Sequence, residues 1–133
     1  MLNAMLKKSK NGKGFTLVEV IVVAVIVAVL AAVAIPLYLG YIQSSKVNVA
    51  NNTAGSAASY LAAARNSNAA TVTNFAASIA AGTILTYTPT GAASAVTFTV
   101  PTLATITTTG SIAAGGTVTC AYDGQTSTNT YGF

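Results

Sequence analysis

The sequence has no histidine, no tryptophan and one cysteine, and only 6% of its 133 residues are charged. Acid–base, nucleophilic and metal chemistry mostly draws on clusters of His, Cys, Asp, Glu or Lys. Two acidic residues without an imidazole cannot build such a cluster, so we predict no enzyme, no metal site and no cofactor. The lone Cys120 excludes an internal disulfide, and its strand-like surroundings predict a small buried side chain. The Gly115-Gly116 pair predicts a β-turn rather than a phosphate-binding loop.

Positive charge is concentrated at the N-terminus. The formal net charge is +4, and four of the six basic residues fall within the first fourteen positions. These four are Lys7, Lys8, Lys10 and Lys13. Beyond them, Lys46 and Arg65 balance Glu19 and Asp123, so the rest of the chain is nearly uncharged. Because this part has no basic stripe for phosphate contacts, the sequence carries no strong nucleic-acid signal.

A long apolar segment follows the lysines. Residues 15–35 contain one charged side chain, and as a helix they would extend about 31 Å, enough to cross a bilayer. The lysines favour a cytoplasmic N-terminus, with the chain after Pro36 on the opposite side. Two simple interpretations compete. Ala32-Val33-Ala34 has the form of a signal-peptide cleavage site, although the apolar core is longer than usual. A plain membrane anchor leaves the costly carboxylate of Glu19 without a role.

Positions 13–20 read KGFTLVEV, and the aliphatic run after them ends at Pro36. This pattern closely resembles the N-terminus of type IV pilins and their pseudopilin relatives. The resemblance implies that a prepilin peptidase and N-methyltransferase of the inner membrane cuts between Gly14 and Phe15 and methylates Phe15. It also implies that Glu19 pairs with the amine of Phe15 in a neighbouring subunit and sets the register of assembly. The alternative role for Glu19 is to fix the depth of the helix in the membrane.

Pro36 predicts an irregularity in the helix. Proline has no amide N–H, and its ring crowds the carbonyl of Ala32, so we expect a kink, with Gly40 adding flexibility. Unwinding before the proline, which the resemblance implies for assembled filaments, and a static bend are both open.

After the kink, apolar and small residues recur at steps of three and four, which predicts one stripe of a helix that ends near Arg65. The stripe comprises Val47, Ala50, Ala54, Ala57, Ala58, Leu61 and Ala64. Residues 69–82 are Ala-rich and open to a short helix around 74–81 or to a loop. Alternating Thr, Val, Ile, Tyr and Phe then predict strands. They cover residues 83–88, 95–100, 103–108 and 117–122.

These elements predict an α+β fold, in which a long N-terminal helix packs its second half on a small antiparallel sheet of three or four strands. The predicted segments are a cleaved leader (1–14), a transmembrane and polymerisation helix (15–36), an amphipathic helix half (37–66) and a Thr-rich head (67–133). The aromatics of the final Tyr131-Gly132-Phe133 are expected to fix the tail. The Asn51-Asn52-Thr53 glycosylation pattern reads as chance, because it lies in a helix.

The resemblance implies a structural subunit, most simply the major pilin of a type IV pilus. Its partners would be other pilin subunits, the prepilin peptidase, an inner-membrane assembly platform and lipid. Its location would change from a single-pass bacterial inner-membrane protein to an extracellular filament. The alternatives are a major pseudopilin of a type II secretion system, a minor or competence pilin, and a monomeric membrane-anchored binding module. Many major pseudopilins bind calcium in a late loop, and Asp123 alone supplies too few oxygen ligands for that.

Overall fold

The computed structural model describes residues 14–69 and 71–133, so the predicted leader lies outside the described residues except for Gly14. One long helix, α1, spans Leu17–Asn66, and small antiparallel strands follow it. The strands in the described part of the chain are β1 (Ser78–Ile79), β2 (Ile84–Tyr87), β3 (Val96–Thr99), β4 (Ala104–Ser111), β5 (Gly115–Tyr122), β6 (Gln125–Thr126) and β7 (Tyr131–Gly132). The predicted α+β class is confirmed.

The chain divides into two compact units between Tyr38 and Leu39. The first contains the N-terminal part of α1, where every described Val, Ile, Leu, Phe and Tyr side chain is at least 50% exposed. The second contains the rest of α1 and all the strands named above. The finer division into four segments stays a prediction.

In the second unit, α1 contributes one face to the core. Its buried residues are Ala50, Thr53, Ala54, Ala57, Ala58, Tyr60, Leu61 and Ala64. Steps of three and four place them on one side of the helix, which confirms the predicted stripe, although Val47 is only half-buried. The predicted stripe lacked Thr53 and Tyr60, because each carries a polar hydroxyl although its side chain is buried.

The strands form two sheets. In the larger, the order is β1-β4-β5-β6, and β7 also pairs with β5; β2 and β3 form a separate pair. The four predicted strands are all present, but the prediction of a single sheet was wrong. A turn separates β3 from β4: the Ala104 N–H donates to the Pro101 carbonyl at 3.1 Å. Pro101 itself has no N–H to continue the β3 ladder.

The region 74–81 is a loop that carries the two-residue strand β1, and not a helix. Asn74 has a left-handed backbone (φ 63°), and its Nδ2 donates to the Ile84 carbonyl at 2.8 Å. Thr108 fixes the same loop, since its Oγ1 donates to the Ala76 carbonyl at 2.7 Å. Asparagine tolerates the left-handed region well, so of the two open alternatives, a short helix and a loop, the structure has the loop.

The end of the sequence docks on β5 as expected. The Phe133 N–H donates to the Gly116 carbonyl at 3.0 Å, and the Gly116 N–H donates to the Phe133 carbonyl at 3.2 Å. Phe133 is buried and contacts the Phe75 ring edge-on, with centroids 6.2 Å apart. The Tyr131 ring lies over Gly55, 3.5 Å from where a Cβ would stand. The prediction that the terminal aromatics fix the tail is therefore confirmed.

Asn51 also holds this part of the chain. Its Nδ2 donates to Thr128 Oγ1 at 3.1 Å, and its Oδ1 accepts the Asn129 N–H at 3.2 Å. Thr53, the third residue of the glycosylation pattern, is buried. The amide of Asn51 thus has a structural role, in keeping with the interpretation of the pattern as chance.

Leu103 combines backbone strain with an exposed apolar side chain. Its φ is +68° and its side chain is 63% exposed. A left-handed backbone costs an L-residue about 1–2 kcal/mol. Leu103→Gly is therefore expected to raise the free energy of unfolding by about 1 kcal/mol, after part of the relief is offset by the entropy of the unfolded chain. The check is thermal unfolding of the full chain in detergent micelles, followed by circular dichroism.

The control is Thr102→Gly, because Thr102 has no left-handed backbone to relieve. It should lower the melting temperature. A lower melting temperature for Leu103→Gly as well would contradict the strain argument.

Tyr60 makes the free energy of unfolding depend on pH in the alkaline range. Its hydroxyl donates to the Val96 carbonyl at 3.1 Å, and its ring packs on Tyr87 and Phe98. Burial, followed by the charge of a nearby ionised Tyr87, raises the pKa of Tyr60 to about 12 from its ordinary 10.0. The folded state thus favours the neutral phenol. The neutral Tyr60 side chain therefore contributes fully to the free energy of unfolding below pH 10, and this contribution is lost as the pH rises from 10 to 12.

We expect Tyr60→Phe to cost about 1 kcal/mol at pH 8, the value of a lost hydrogen bond, and to flatten the decline between pH 10 and 12. Melting temperatures measured across that range test this. Tyr41→Phe, at an exposed helix position, should keep the wild-type slope. If Tyr60→Phe kept it too, another group would govern the alkaline transition.

Candidate functional site

The candidate site is the start of α1. Gly14, Phe15 and Thr16 precede the helix, and all three are exposed. Phe15 is 82% exposed, and no atom of the described residues beyond its chain neighbours lies within 4 Å of a Cβ built on Gly14. The bond between Gly14 and Phe15 is therefore accessible and lies outside the helix. Packing within the described residues therefore does not require glycine at position 14.

Thr16 caps the helix. Its Oγ1 accepts the backbone N–H of Glu19 at 3.2 Å, and its carbonyl accepts the N–H of Val20 at 3.3 Å. These are the interactions of an N-cap residue, which satisfies one of the four N–H groups that the first turn leaves unpaired. Sequence reasoning gave Thr16 no role. The signal was present, because Thr-x-x-Glu before an apolar run is a capping-box pattern.

Glu19 is the third residue of α1, and its side chain is exposed. A carboxylate in the first turn is favoured by the positive end of the helix dipole. Among residues 14–69 and 71–133, the one ion pair joins Lys46 and Asp123, so Glu19 has no ion-pair partner within that range. The carboxylate is thus accessible to a positive group from another molecule.

The apolar surface that follows Glu19 is large. Residues 20–34 contain no charged side chain, and their Val, Leu and Ile side chains are 50–65% exposed. By length and composition, α1 contains a segment able to cross a membrane. Exposed apolar surface of this extent needs lipid or protein to cover it.

Pro36 lies inside α1, and Gly40 is also helical. Pro36 cannot donate a hydrogen bond to the Ala32 carbonyl, so the helix is locally weaker there. In residues 14–69 and 71–133 nothing lies within 4 Å of a Cβ built on Gly40, so packing within these residues does not explain its glycine. The roles assigned to both residues stay predictions.

The outward face of the larger sheet has hydroxyls in place of charges. Thr105, Thr107 and Thr109 on β4 alternate with buried residues, and Thr107 and Thr109 pair with Thr119 and Thr117 on β5. Antiparallel sheets commonly place polar residues on this face. Here the polar residues are neutral, which removes the electrostatic repulsion that keeps many soluble proteins apart.

Two observations bear on chemistry. In the described residues no three His, Cys, Asp or Glu side chains lie together as metal ligands would. Cys120 is 1% exposed on β5, and burial raises the pKa of its thiol. The prediction of a small buried cysteine is confirmed, and its thiol is poorly suited to act as a nucleophile.

One comparison with known proteins points to the same segment. Residues 9–35 match the family described as "Prokaryotic N-terminal methylation motif". The chain is 46% identical over 43 residues to "Fimbrial protein EcpC" of Eikenella corrodens. That alignment covers 32% of this chain and 28% of the relative, so the chain spans less than a third of the curated relative it matches. No solved structure matches the chain. The chain thus resembles type IV pilin-family proteins, and its match to the methylation motif lies in the N-terminal segment.

Proposed function

We propose that this chain is a structural subunit, the major pilin, of a type IV pilus filament. The observation that carries the proposal is the coincidence of two features in one segment. Residues 9–35 match the N-terminal methylation motif, and the helix that begins within them has an apolar surface that nothing in the described chain covers. The second unit, Leu39–Phe133, is compact, as a subunit repeated along a filament would be.

The first step would be cleavage between Gly14 and Phe15, followed by methylation of the new amine of Phe15. A peptidase needs extended and accessible backbone, and this bond lies outside the helix. The four lysines of the leader would hold the N-terminus in the cytoplasm until the cut. The remaining 133 − 14 = 119 residues carry Lys46 and Arg65 against Glu19 and Asp123, so their side-chain charges sum to zero.

Assembly would transfer the apolar surface of α1 from lipid to a core made of other copies. Hydrophobicity alone gives little preference between lipid and protein, so packing and polar contacts must supply specificity. Glu19 supplies one such contact, because its carboxylate can pair with the methylated amine of Phe15 in a neighbouring copy. Two opposite charges attract strongly where water is scarce. The neutral Thr-rich head would then allow identical subunits to crowd together.

The partners that follow are the prepilin peptidase, an assembly platform in the bacterial inner membrane, lipid before assembly and other pilin subunits afterwards. The test is mass spectrometry of the polypeptide in membranes and in filaments sheared from the source bacterium. The expected result is a bulk filament component that begins with N-methylated Phe15. A methylated chain found only in membranes would favour a pseudopilin, and one found as a trace in filaments would favour a minor pilin. A chain that begins at Met1 or Ile35 would overturn the proposal.

A further inference from the structure

One edge of the smaller sheet has no partner strand. Within residues 14–69 and 71–133, β3 pairs with β2 alone, and Val96, Thr97 and Thr99 of β3 are exposed. The opposite edge of this sheet is covered, because the Thr86 carbonyl of β2 accepts the Thr73 N–H at 2.9 Å. An uncovered strand edge presents N–H and C=O groups to which another strand can bind. We call the side of β3 that faces away from β2 the β3 edge.

The alternation of backbone groups identifies which residues serve the β3 edge. Val100, directly after β3, donates its N–H to the Thr83 carbonyl at 2.9 Å and accepts the Gly82 N–H at 3.0 Å. The backbone of Val100 therefore points toward the chain that enters β2. In an antiparallel ladder, residues that face one neighbour alternate with residues that face the other. Thr97 and Thr99 are thus the residues of β3 whose backbone N–H and C=O groups point outward.

The β3 edge lacks the usual protection against pairing. Natural sheets protect their edges with charged residues, proline, bulges or very short strands. The larger sheet follows this rule, since β1 and β6 have two residues each. β3 has four residues and contains neither charge nor proline, and Pro101 comes only after Val100. The β3 edge is therefore able to accept a further strand.

The sequence of this segment is complementary to itself. Positions 96–100 read VTFTV, which is the same in both directions. If two copies pair antiparallel about Phe98, Thr97 of each copy lies opposite Thr99 of the other. These are the residues with outward backbone groups, so each pair can exchange both of its hydrogen bonds. Because the segment has no charged side chain, two copies meet there without repulsion between like charges.

We propose that the β3 edge binds the β3 edge of a second copy of this chain across a two-fold axis at Phe98. Such a contact is closed, because each copy uses the same surface. Successive subunits of a helical filament are instead related head-to-tail, so the contact would join subunits of two neighbouring filaments. This last step rests on the proposed function, whereas the pairing itself does not. A ladder of this length is weak alone, and repetition along two filaments strengthens it.

The pairing is tested by oxidative cross-linking of the full chain in detergent micelles, which traps a weak contact as a disulfide. Thr97→Cys and Thr99→Cys are oxidised separately and as an equimolar mixture. Opposite residues of a hydrogen-bonded pair have Cα atoms about 5.5 Å apart, within disulfide range, whereas diagonal neighbours are about 7–8 Å apart. Two copies of position 97, or of position 99, are diagonal neighbours in this register. We expect at least about fivefold more disulfide dimer from the mixture than from either variant alone.

The controls separate this register from other associations. The wild-type chain, whose Cys120 is buried, gives the background of the oxidation. Circular dichroism of each variant checks the fold, which should persist because the side chains of Thr97 and Thr99 are exposed. Equal dimer yields from the three samples would indicate non-specific association and overturn the proposal. More dimer from the single variants would indicate parallel pairing and overturn it too, as would the absence of dimer from the mixture.

The contact between filaments is tested by electron microscopy of sheared filaments. Thr97→Lys/Thr99→Lys places like charges opposite each other and should lower the share of bundled filaments about fivefold. Thr105→Lys/Thr107→Lys is the control, because it adds the same charge to exposed threonines of β4. Equal bundling in the two variants, or wild-type filaments that are all single, would overturn the contact between filaments. If the wild-type chain were absent from filaments, the proposed function would have failed, and the cross-linking would still decide the pairing.

Discussion

Glu19→Ala is expected to reduce the share of the chain found in filaments by at least about tenfold while leaving its insertion in the membrane intact. Removing one partner of a poorly solvated ion pair costs about 3–5 kcal/mol, since the other charge is left without compensation. The charge left in this case would be the amine of Phe15 in the neighbouring subunit. Insertion should persist, because alanine only increases the apolar character of the segment.

The measurement is quantitative immunoblotting of membrane and sheared-filament fractions from cells that express each variant. Val18→Ala is the matched control, because it changes an exposed side chain in the same turn and keeps the carboxylate. Glu19→Asp should be intermediate, since it retains the charge on a shorter side chain. Wild-type filament yield from Glu19→Ala would show that Glu19 only sets the depth of the helix.

Gly116→Ala is expected to lower the free energy of unfolding by about 3 kcal/mol, at the upper end of what overpacking costs. A Cβ on Gly116 would overlap the carbonyl oxygen of Thr109 and lie 2.9 Å from the Phe133 ring. The Thr109 carbonyl cannot withdraw easily, because Thr109 pairs with Thr117 in the longest ladder of the sheet. The Phe133 ring is held by the two hydrogen bonds of its own backbone to Gly116.

Thermal unfolding of the full chain in micelles should show a fall of about 10 °C or more in the melting temperature. Gly132→Ala is the control on the neighbouring strand β7, where the nearest atom to the new Cβ is the Gly116 oxygen at 3.8 Å, an ordinary contact. Neither glycine has a left-handed backbone, so the two substitutions differ in space alone. Equal melting temperatures for the two variants would contradict the steric argument.

Gly116 also shows where sequence reasoning was wrong. We predicted that Gly115-Gly116 forms a turn, but both residues begin β5, and the turn lies before them. Glycine pairs commonly mark turns, and a short-range pattern carries no information about a carbonyl from another strand. The requirement for glycine becomes visible only when β4 and the tail occupy the space that a Cβ would fill.

The helix gives the opposite result, although its cap Thr16 and the buried Thr53 and Tyr60 were overlooked. The apolar run, the stripe from Ala50 to Ala64 and the end near Arg65 follow from periodicity and from residues close in sequence. The cap at Thr16 is equally local, spanning three residues, and the capping-box pattern would have identified it. The kink or unwinding predicted at Pro36 depends on whether lipid or protein surrounds the helix, and it stays a prediction.

The sequence by itself determined the N-terminal segment: a lysine-rich stretch before Gly14, an apolar helix long enough for a membrane, and the motif around Gly14, Phe15 and Glu19. These features are linear, because charge, length and spacing act between residues that are neighbours in the chain. Only the tertiary structure determined how the strands and loops of the Thr-rich head, residues 67–133, are arranged. The division into two sheets, the clamp of Asn51 on the loop at Thr128 and the pairing of Phe133 with Gly116 each join residues that are distant in sequence. Such contacts depend on which surfaces fit together, and no local pattern encodes that fit.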